Sequence, residues 1–144
     1  MLRNQPSLSL DLALLALPAV LAEARRLGVR VSVSLVDAAG QLIHLAHMDG
    51  APALSRDIAL DKAYTAASFG LATSRWEAEL AAAPASVRNG LAHRPRMVLF
   101  GGGVPVKVEG TTVGAIGVSG ASAEQDEQCA LAGVNAILAA LNQA

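Results

Sequence analysis

The chain is poor in aromatic residues: Tyr64, Phe69, Trp76 and Phe100 are all it has. Single-stranded nucleic acids are gripped on stacked aromatic rings, so this scarcity counts against such a partner. Charge is sparse too. Charged residues are 16% of the chain and the formal net charge is −1, which removes the pull of a basic surface on phosphate and argues against a disordered tail. Cys129 is the single cysteine, so neither an internal disulfide nor a Cys-x-x-Cys pair can form, and a reducing, cytoplasmic setting is expected. No apolar run reaches the roughly 18 residues of a membrane span. What the sequence has in abundance is hydrophobic residues, 53% of 144, much of it alanine. That length suits one domain spanning 1–144, and the apolar excess predicts surfaces buried between subunits, hence a homo-oligomer.

Arg3, the apolar run from Ala13 to Ala22 and the Ala22-Glu23-Ala24 triplet imitate a secretory signal. Asp11 interrupts the imitation, and Leu10, Leu14, Leu17, Leu21, Ala24 and Leu27 at spacings of three and four predict a retained amphipathic helix. Ser7 or Ser9 caps its start and Gly28 its end, and Pro18 is expected to kink it or delay its beginning. Val29 to Val36 alternates apolar and polar residues as a half-buried strand does, and Asp37-Ala38-Ala39-Gly40 turns it into a second strand, Gln41 to Met48. A helix over Arg56 to Phe69 follows Ser55, with Ile58, Ala59, Ala63, Ala66 and Phe69 as its stripe. Ser74 and Glu77 have capping-box spacing, opening a short helix towards Ala83, and 84–95 is expected to be a functional loop or one helical turn. Three strands are predicted next, Met97 to Phe100, Val104 to Val108 and Thr111 to Ser119, with Glu109-Gly110 as the last turn. Ser122 and Gln125 then cap a final helix to Leu141, packing through Leu131, Val134, Ile137, Leu138 and Leu141. A hairpin, a meander and clustered helices give an α+β domain with an antiparallel sheet in two or three layers.

Five segments appear in one order: Val36-Asp37-Ala38-Ala39-Gly40; Met48-Asp49-Gly50-Ala51; Asp61-Lys62-Ala63-Tyr64-Thr65-Ala66; Phe100-Gly101-Gly102-Gly103-Val104-Pro105; and Gly114 to Ala121 with Gln125-Asp126-Glu127. Together they resemble the GlcG/HbpS family, which includes secreted haem-binding proteins and the C-terminal domain of PduO-type corrinoid adenosyltransferases. The resemblance implies a profilin-like, five-stranded antiparallel sheet flanked by helices, and a dimer-based assembly that extends to tetramers or octamers. It also implies haem or another tetrapyrrole as ligand. The chain departs from the pattern twice: His47 stands where members carry Arg before Met-Asp-Gly-Ala, and the first predicted helix holds no His.

His47 and Asp49 share strand parity, so the carboxylate can orient an imidazole that serves as acid, base or haem ligand; the plainer reading is a surface His beside an Asp-Gly turn. His44 falls on the opposite face and reads as structural. Lys62, mid-helix beside the apolar stripe, is either a solvated lysine or an anion anchor. His93 and Arg94, with Arg88 nearby, lie on the polar segment 84–95 and can recognise a carboxylate. Gly101, Gly102 and Gly103 allow backbone amides to approach a ligand, or simply make a tight turn. Gly114, Gly117 and Gly120 are expected to admit the final helix, Asp126 and Glu127 to complement its dipole, and Cys129 to be a small buried hydrophobe.

Two functions follow. One is a small-ligand or tetrapyrrole-binding protein with His47 or His93 as axial ligand and a pocket near a subunit interface. The other is a cofactor-independent isomerase, lyase or hydrolase of small organic acids, with His47 and Asp49 moving protons, Lys62 holding the anion and the glycine run stabilising an oxyanion.

Overall fold

A computed structural model describes residues 1–143. Helix α1 (Leu10–Leu27) leads into strands β1 (Ser32–Asp37) and β2 (Leu42–His47). Helix α2 (Ser55–Phe69), a 3-10 turn (Thr73–Arg75) and helices α3 (Trp76–Ala81) and α4 (Ala85–Ala92) follow. Strands β3 (Gly103–Val108) and β4 (Thr111–Ser119) and helix α5 (Ala123–Asn142) complete the order. The strands form one antiparallel sheet in the order β2-β1-β4-β3. Helices α1 and α5 pack on each other and on one face of the sheet, while α2 covers the other face. The α+β class and the antiparallel sheet stand. The sheet has four strands, not five. Met97 to Phe100 stays out because the Val98 amide donates to Thr65 Oγ1 on α2 at 3.1 Å, leaving no ladder for it to join.

Several caps are those the sequence predicts. Ser9 Oγ accepts from the Leu12 amide, Gly28 closes α1 at φ 71°, and Ser122 and Gln125 form a reciprocal capping box. Helix α1 runs unbroken through Pro18. Its face is rotated, however: Ala13, Ala16, Val20 and Ala24 point inward while Leu10 and Leu14 are exposed. Small residues let α5 approach closely, with Gly133 set against Val20 and Ile116, and this contact outweighs the larger leucine area. On α5, Leu131 is likewise exposed, and on α2 so is Phe69, which meets Trp76 edge-on at 4.8 Å. The Ser74–Glu77 capping box does not form; Ser74 Oγ donates to Glu127 at 2.7 Å and so ties the 3-10 turn to α5. Segment 84–95 contains a two-turn helix, α4, in place of an open loop.

Strand β1 is buried on both faces, not one. Val31, Val33 and Leu35 enter the core beneath α1 and α5, whereas Ser32 and Ser34 face α2. The alternation of serine with valine therefore separates two interiors. Gly114, Gly117 and Gly120 admit Leu8, α2 and the Arg30–Val31 backbone respectively, not the final helix. Among the described residues, no helix is long and apolar enough to cross a membrane.

Candidate functional site

Strand β2 lies at the edge of the sheet, and its last residue, His47, is paired in register with Ser32 of β1. Paired residues project to the same side of a sheet, so the imidazole falls beside the Ser32 hydroxyl. Nδ1 lies 2.5 Å from Ser32 Oγ, Ser32 Oγ lies 2.9 Å from Ser55 Oγ at the start of α2, and Ser55 Oγ donates to the Pro52 carbonyl at 2.5 Å. Ser32, not Asp49, is the imidazole's partner.

At the end of β2 is a cavity of about 440 Å³. Leu21 and Arg25 line it from α1, Arg30 from the α1–β1 connection, and Ala46, His47, Met48 and Asp49 from the end of β2 and the turn beyond. Arg30 packs over Gly50, whose φ of 82° lets the turn fold beneath the guanidinium. Arg25 and Arg30 have no hydrogen-bonded or ion-paired partner among the described residues, and neither does Asp49. The cavity is thus lined by His47, by Arg25 and Arg30, whose guanidinium groups are unpaired, and by Asp49, with Leu21 and Met48 as its apolar residues, while the His47 ring itself is held on the Ser32 side of the sheet. His47 and Asp49 both line this cavity, Asp49 from the turn beyond the end of β2. Arg25, Arg30, Ser32 and Ser55 do not stand out in the sequence. Arg25 reads as a helix-end cation and Ser32 as a solvent-facing strand residue until the tertiary fold joins them.

The remaining candidates lie elsewhere. Lys62 is 1% exposed; its Nζ donates to Val118 O at 2.9 Å and to Asp126 Oδ2 at 3.0 Å, and it lies 5.1 Å from the Phe100 ring centroid. Burial lowers its pKa, while the Asp126 charge pushes the other way. Asp126 also accepts from the Ala121 amide at 3.0 Å, so it is a buried counter-ion and not merely a complement to the helix dipole. Gly101, Gly102 and Gly103 are buried. The Gly103 amide donates to Thr73 Oγ1 at 2.8 Å, and a side chain at Gly102 would strike Lys62 and Val118 O, so the glycine run serves packing around the lysine. His93 ends α4 on the surface. Arg94 lines a second cavity of about 240 Å³ with Tyr64 and Arg96, where Arg96 stacks on Tyr64 at 3.7 Å and donates through Nε to Asp61 at 3.0 Å. No cluster of three or more His, Cys, Asp or Glu residues able to hold a bare metal ion exists among the described residues.

Cys129 is fully buried, and burial first, then the nearby carboxylates of Asp126 and Glu23, raise its thiol pKa to about 11. At pH 8 the thiolate population is then about 100-fold below that of an ordinary cysteine. Labelling of the native protein with a thiol-disulfide reagent is expected to be at least that much slower than in denaturant; equal rates would show that the thiol is accessible.

The family model described as haem degrading protein HbpS-like matches residues 8–135. The chain belongs to the HbpS-like family. It is 42% identical over 110 residues to an uncharacterised 15.0 kDa protein from the dhaT-dhaS intergenic region of Citrobacter freundii, covering 75% of this chain and 76% of that protein. It is 36% identical over 139 residues to the corrinoid adenosyltransferase PduO of the same organism, covering 93% of this chain but only 41% of PduO. A crystal structure of a PduOC complex with haem superposes with a TM-score of 0.80 at 32% identity, covering 90% of this chain and 94% of that one. The resemblance read from the five motifs is thereby established.

Proposed function

We propose that this HbpS-like chain binds haem or a closely related tetrapyrrole in the cavity beside His47. The observation that carries the reading is the lining: His47 and the unpaired Arg25 and Arg30, with Asp49, beside apolar Leu21 and Met48, in a space of about 440 Å³. Haem has a metal centre that imidazole ligates, two propionates that guanidinium groups pair with, and an apolar ring edge. His47 would hold the metal, Arg25 and Arg30 the propionates, and Leu21 and Met48 the ring edge. When bound, the group would supply metal-centred redox or ligand chemistry. The haem complex of PduOC, a family relative, supports the choice of ligand. The cavity opens at a sheet edge, and exposed Leu10, Leu14 and Leu15 on α1 suit burial against a second subunit, in line with the homo-oligomer expected from composition. The proton-transfer alternative draws no support from Lys62 and the glycine run, which are buried away from this cavity.

Titration of the purified protein with haemin is expected to give a saturable Soret shift. His47→Ala should weaken binding about 10- to 100-fold, the loss typical of disturbing a metal ligand's environment. Arg30→Ala should weaken it about 10- to 100-fold, since a hydrogen bond to a charged group contributes roughly 1.5–3 kcal/mol. The absence of a saturable shift, or a shift unchanged in His47→Ala, overturns the reading.

A further inference from the structure

We infer that Ser32 and Ser55 are positioning residues that hold His47 as its Nδ1–H tautomer and so leave its Nε2 bare. The assignment follows from counting protons along the hydrogen-bonded chain. A carbonyl oxygen only accepts, so the 2.5 Å contact between Ser55 Oγ and Pro52 O uses the single hydroxyl proton of Ser55. Ser55 Oγ can then meet Ser32 only as acceptor, and the 2.9 Å contact uses the single proton of Ser32. Ser32 Oγ is left with lone pairs alone to offer Nδ1 at 2.5 Å. Nδ1 must therefore be the donor; the other tautomer would set two lone pairs against each other. In a neutral imidazole this leaves Nε2 unprotonated, and Nε2 has no hydrogen-bond partner among the described residues.

The direction of the chain is well protected. Ser32 is fully buried and Ser55 is 1% exposed, so water does not compete for either hydroxyl. Both sit on rigid elements, an interior strand and the first turn of a helix, and the terminal acceptor belongs to a proline. A hydroxyl relay anchored on a carbonyl does here what a carboxylate or carbonyl does directly for many metal-ligating histidines. Resting on the function proposed above, the inference also narrows the ligand class. A bare Nε2 takes a Lewis-acidic metal centre, whereas it offers no proton to a free carboxylate or other acceptor.

The test uses the protein without haem. Long-range proton–nitrogen correlation spectra of the ¹⁵N-labelled chain at about pH 8, above the ordinary imidazole pKa of roughly 6.5, report which nitrogen of each histidine is protonated. His47 is expected to show a protonated Nδ1 and a lone-pair Nε2. In Ser55→Ala the proton of Ser32 is released to point at Nδ1, so the tautomer should reverse, with His44 and His93 unchanged as internal controls. Ser55→Thr, which keeps the hydroxyl, should retain the wild-type tautomer. A protonated Nε2 in the wild type overturns the inference, as does a tautomer in folded Ser55→Ala identical to wild type. If Ser55→Ala does not fold, the wild-type spectrum decides alone. Haemin titration of the same variants separates the two proposals: no binding by the wild type removes the haem reading, while the tautomer is judged from the spectra.

Discussion

Asp126→Ala is expected to destabilise the protein by about 3–5 kcal/mol, because it leaves the buried Lys62 ammonium without its counter-ion. In the native chain Nζ has two oxygen partners, Val118 O at 2.9 Å and Asp126 Oδ2 at 3.0 Å, and both side chains are all but inaccessible to water. The substitution also strips the Ala121 amide of its acceptor at the start of α5. A loss of that size would take a large part of the roughly 5–15 kcal/mol that a domain of this kind possesses. Lys62→Met should cost less, since Asp126 would keep the Ala121 amide and the positive end of the α5 dipole.

The pH dependence has a definite sign. Burial already lowers the Lys62 pKa, with Asp126 opposing it; without Asp126 the lowering is unopposed. The native state then binds fewer protons than the unfolded chain, whose lysines titrate near 10.4, so stability rises with pH as that value is approached from below. Asp126→Ala should therefore recover part of its loss between neutrality and about pH 10, and the rise should vanish in the Lys62→Met, Asp126→Ala double variant. Urea denaturation across that range measures both effects. A loss under about 1 kcal/mol at pH 7 would show that the pair is not buried in solution as it is here.

Local signals reported local structure well. Ser9, Gly28, Ser122 and Gln125 act through hydrogen bonds within four residues of themselves, and those segments fold as the sequence predicts. Where a distant element decides, the signal misleads. Serine alternating with valine in β1 has the period of a half-exposed strand, because period alone cannot reveal that α2 covers the second face. The leucine stripe of α1 yields to alanine since the partner helix, far along the chain, comes close. Ser74 satisfies Glu127 of α5 and not its own helix, and Val98 satisfies Thr65 and not a neighbouring strand. The site follows the same division. His47 and Asp49 stand out in the sequence as neighbours, but Arg25 and Arg30 meet them, and Ser32 and Ser55 meet the His47 ring, only through the packing of α1, β1 and α2 around the end of β2. Lys62 carries a strong motif, but its pairing with Asp126, 64 residues along the chain, is visible only in the fold, where the glycines after Phe100 make room for it.

Gly117→Val is expected to be at least as damaging as loss of the ion-pair partner, costing upwards of about 3 kcal/mol as an extreme case of overpacking. Gly117 sits mid-strand in β4, flanked by Ser34 of β1 and Gly103 of β3. A Cβ there would collide with the Ala59 carbonyl oxygen and approach the Ala63 amide nitrogen to 2.6 Å. These are backbone atoms of α2, so no rotamer change relieves the clash and the helix must lift from the sheet as a unit. Even Gly117→Ala should cost about 1–3 kcal/mol. Gly90→Ala is the control, since nothing lies within 4 Å of a Cβ on that helical residue, and it should be neutral or stabilising by about 0.5–1 kcal/mol. The helix that would lift carries both Lys62 and Ser55. Gly117→Ala should thus lengthen the Ser55–Ser32 contact, loosen the tautomer of His47 and weaken haemin binding, although Gly117 touches neither the imidazole nor the cavity. Denaturation midpoints for the three glycine variants, read beside the His47 nitrogen shifts, test the linkage. A stable Gly117→Ala protein with an unchanged tautomer would show that α2 can shift on the sheet without disturbing the site.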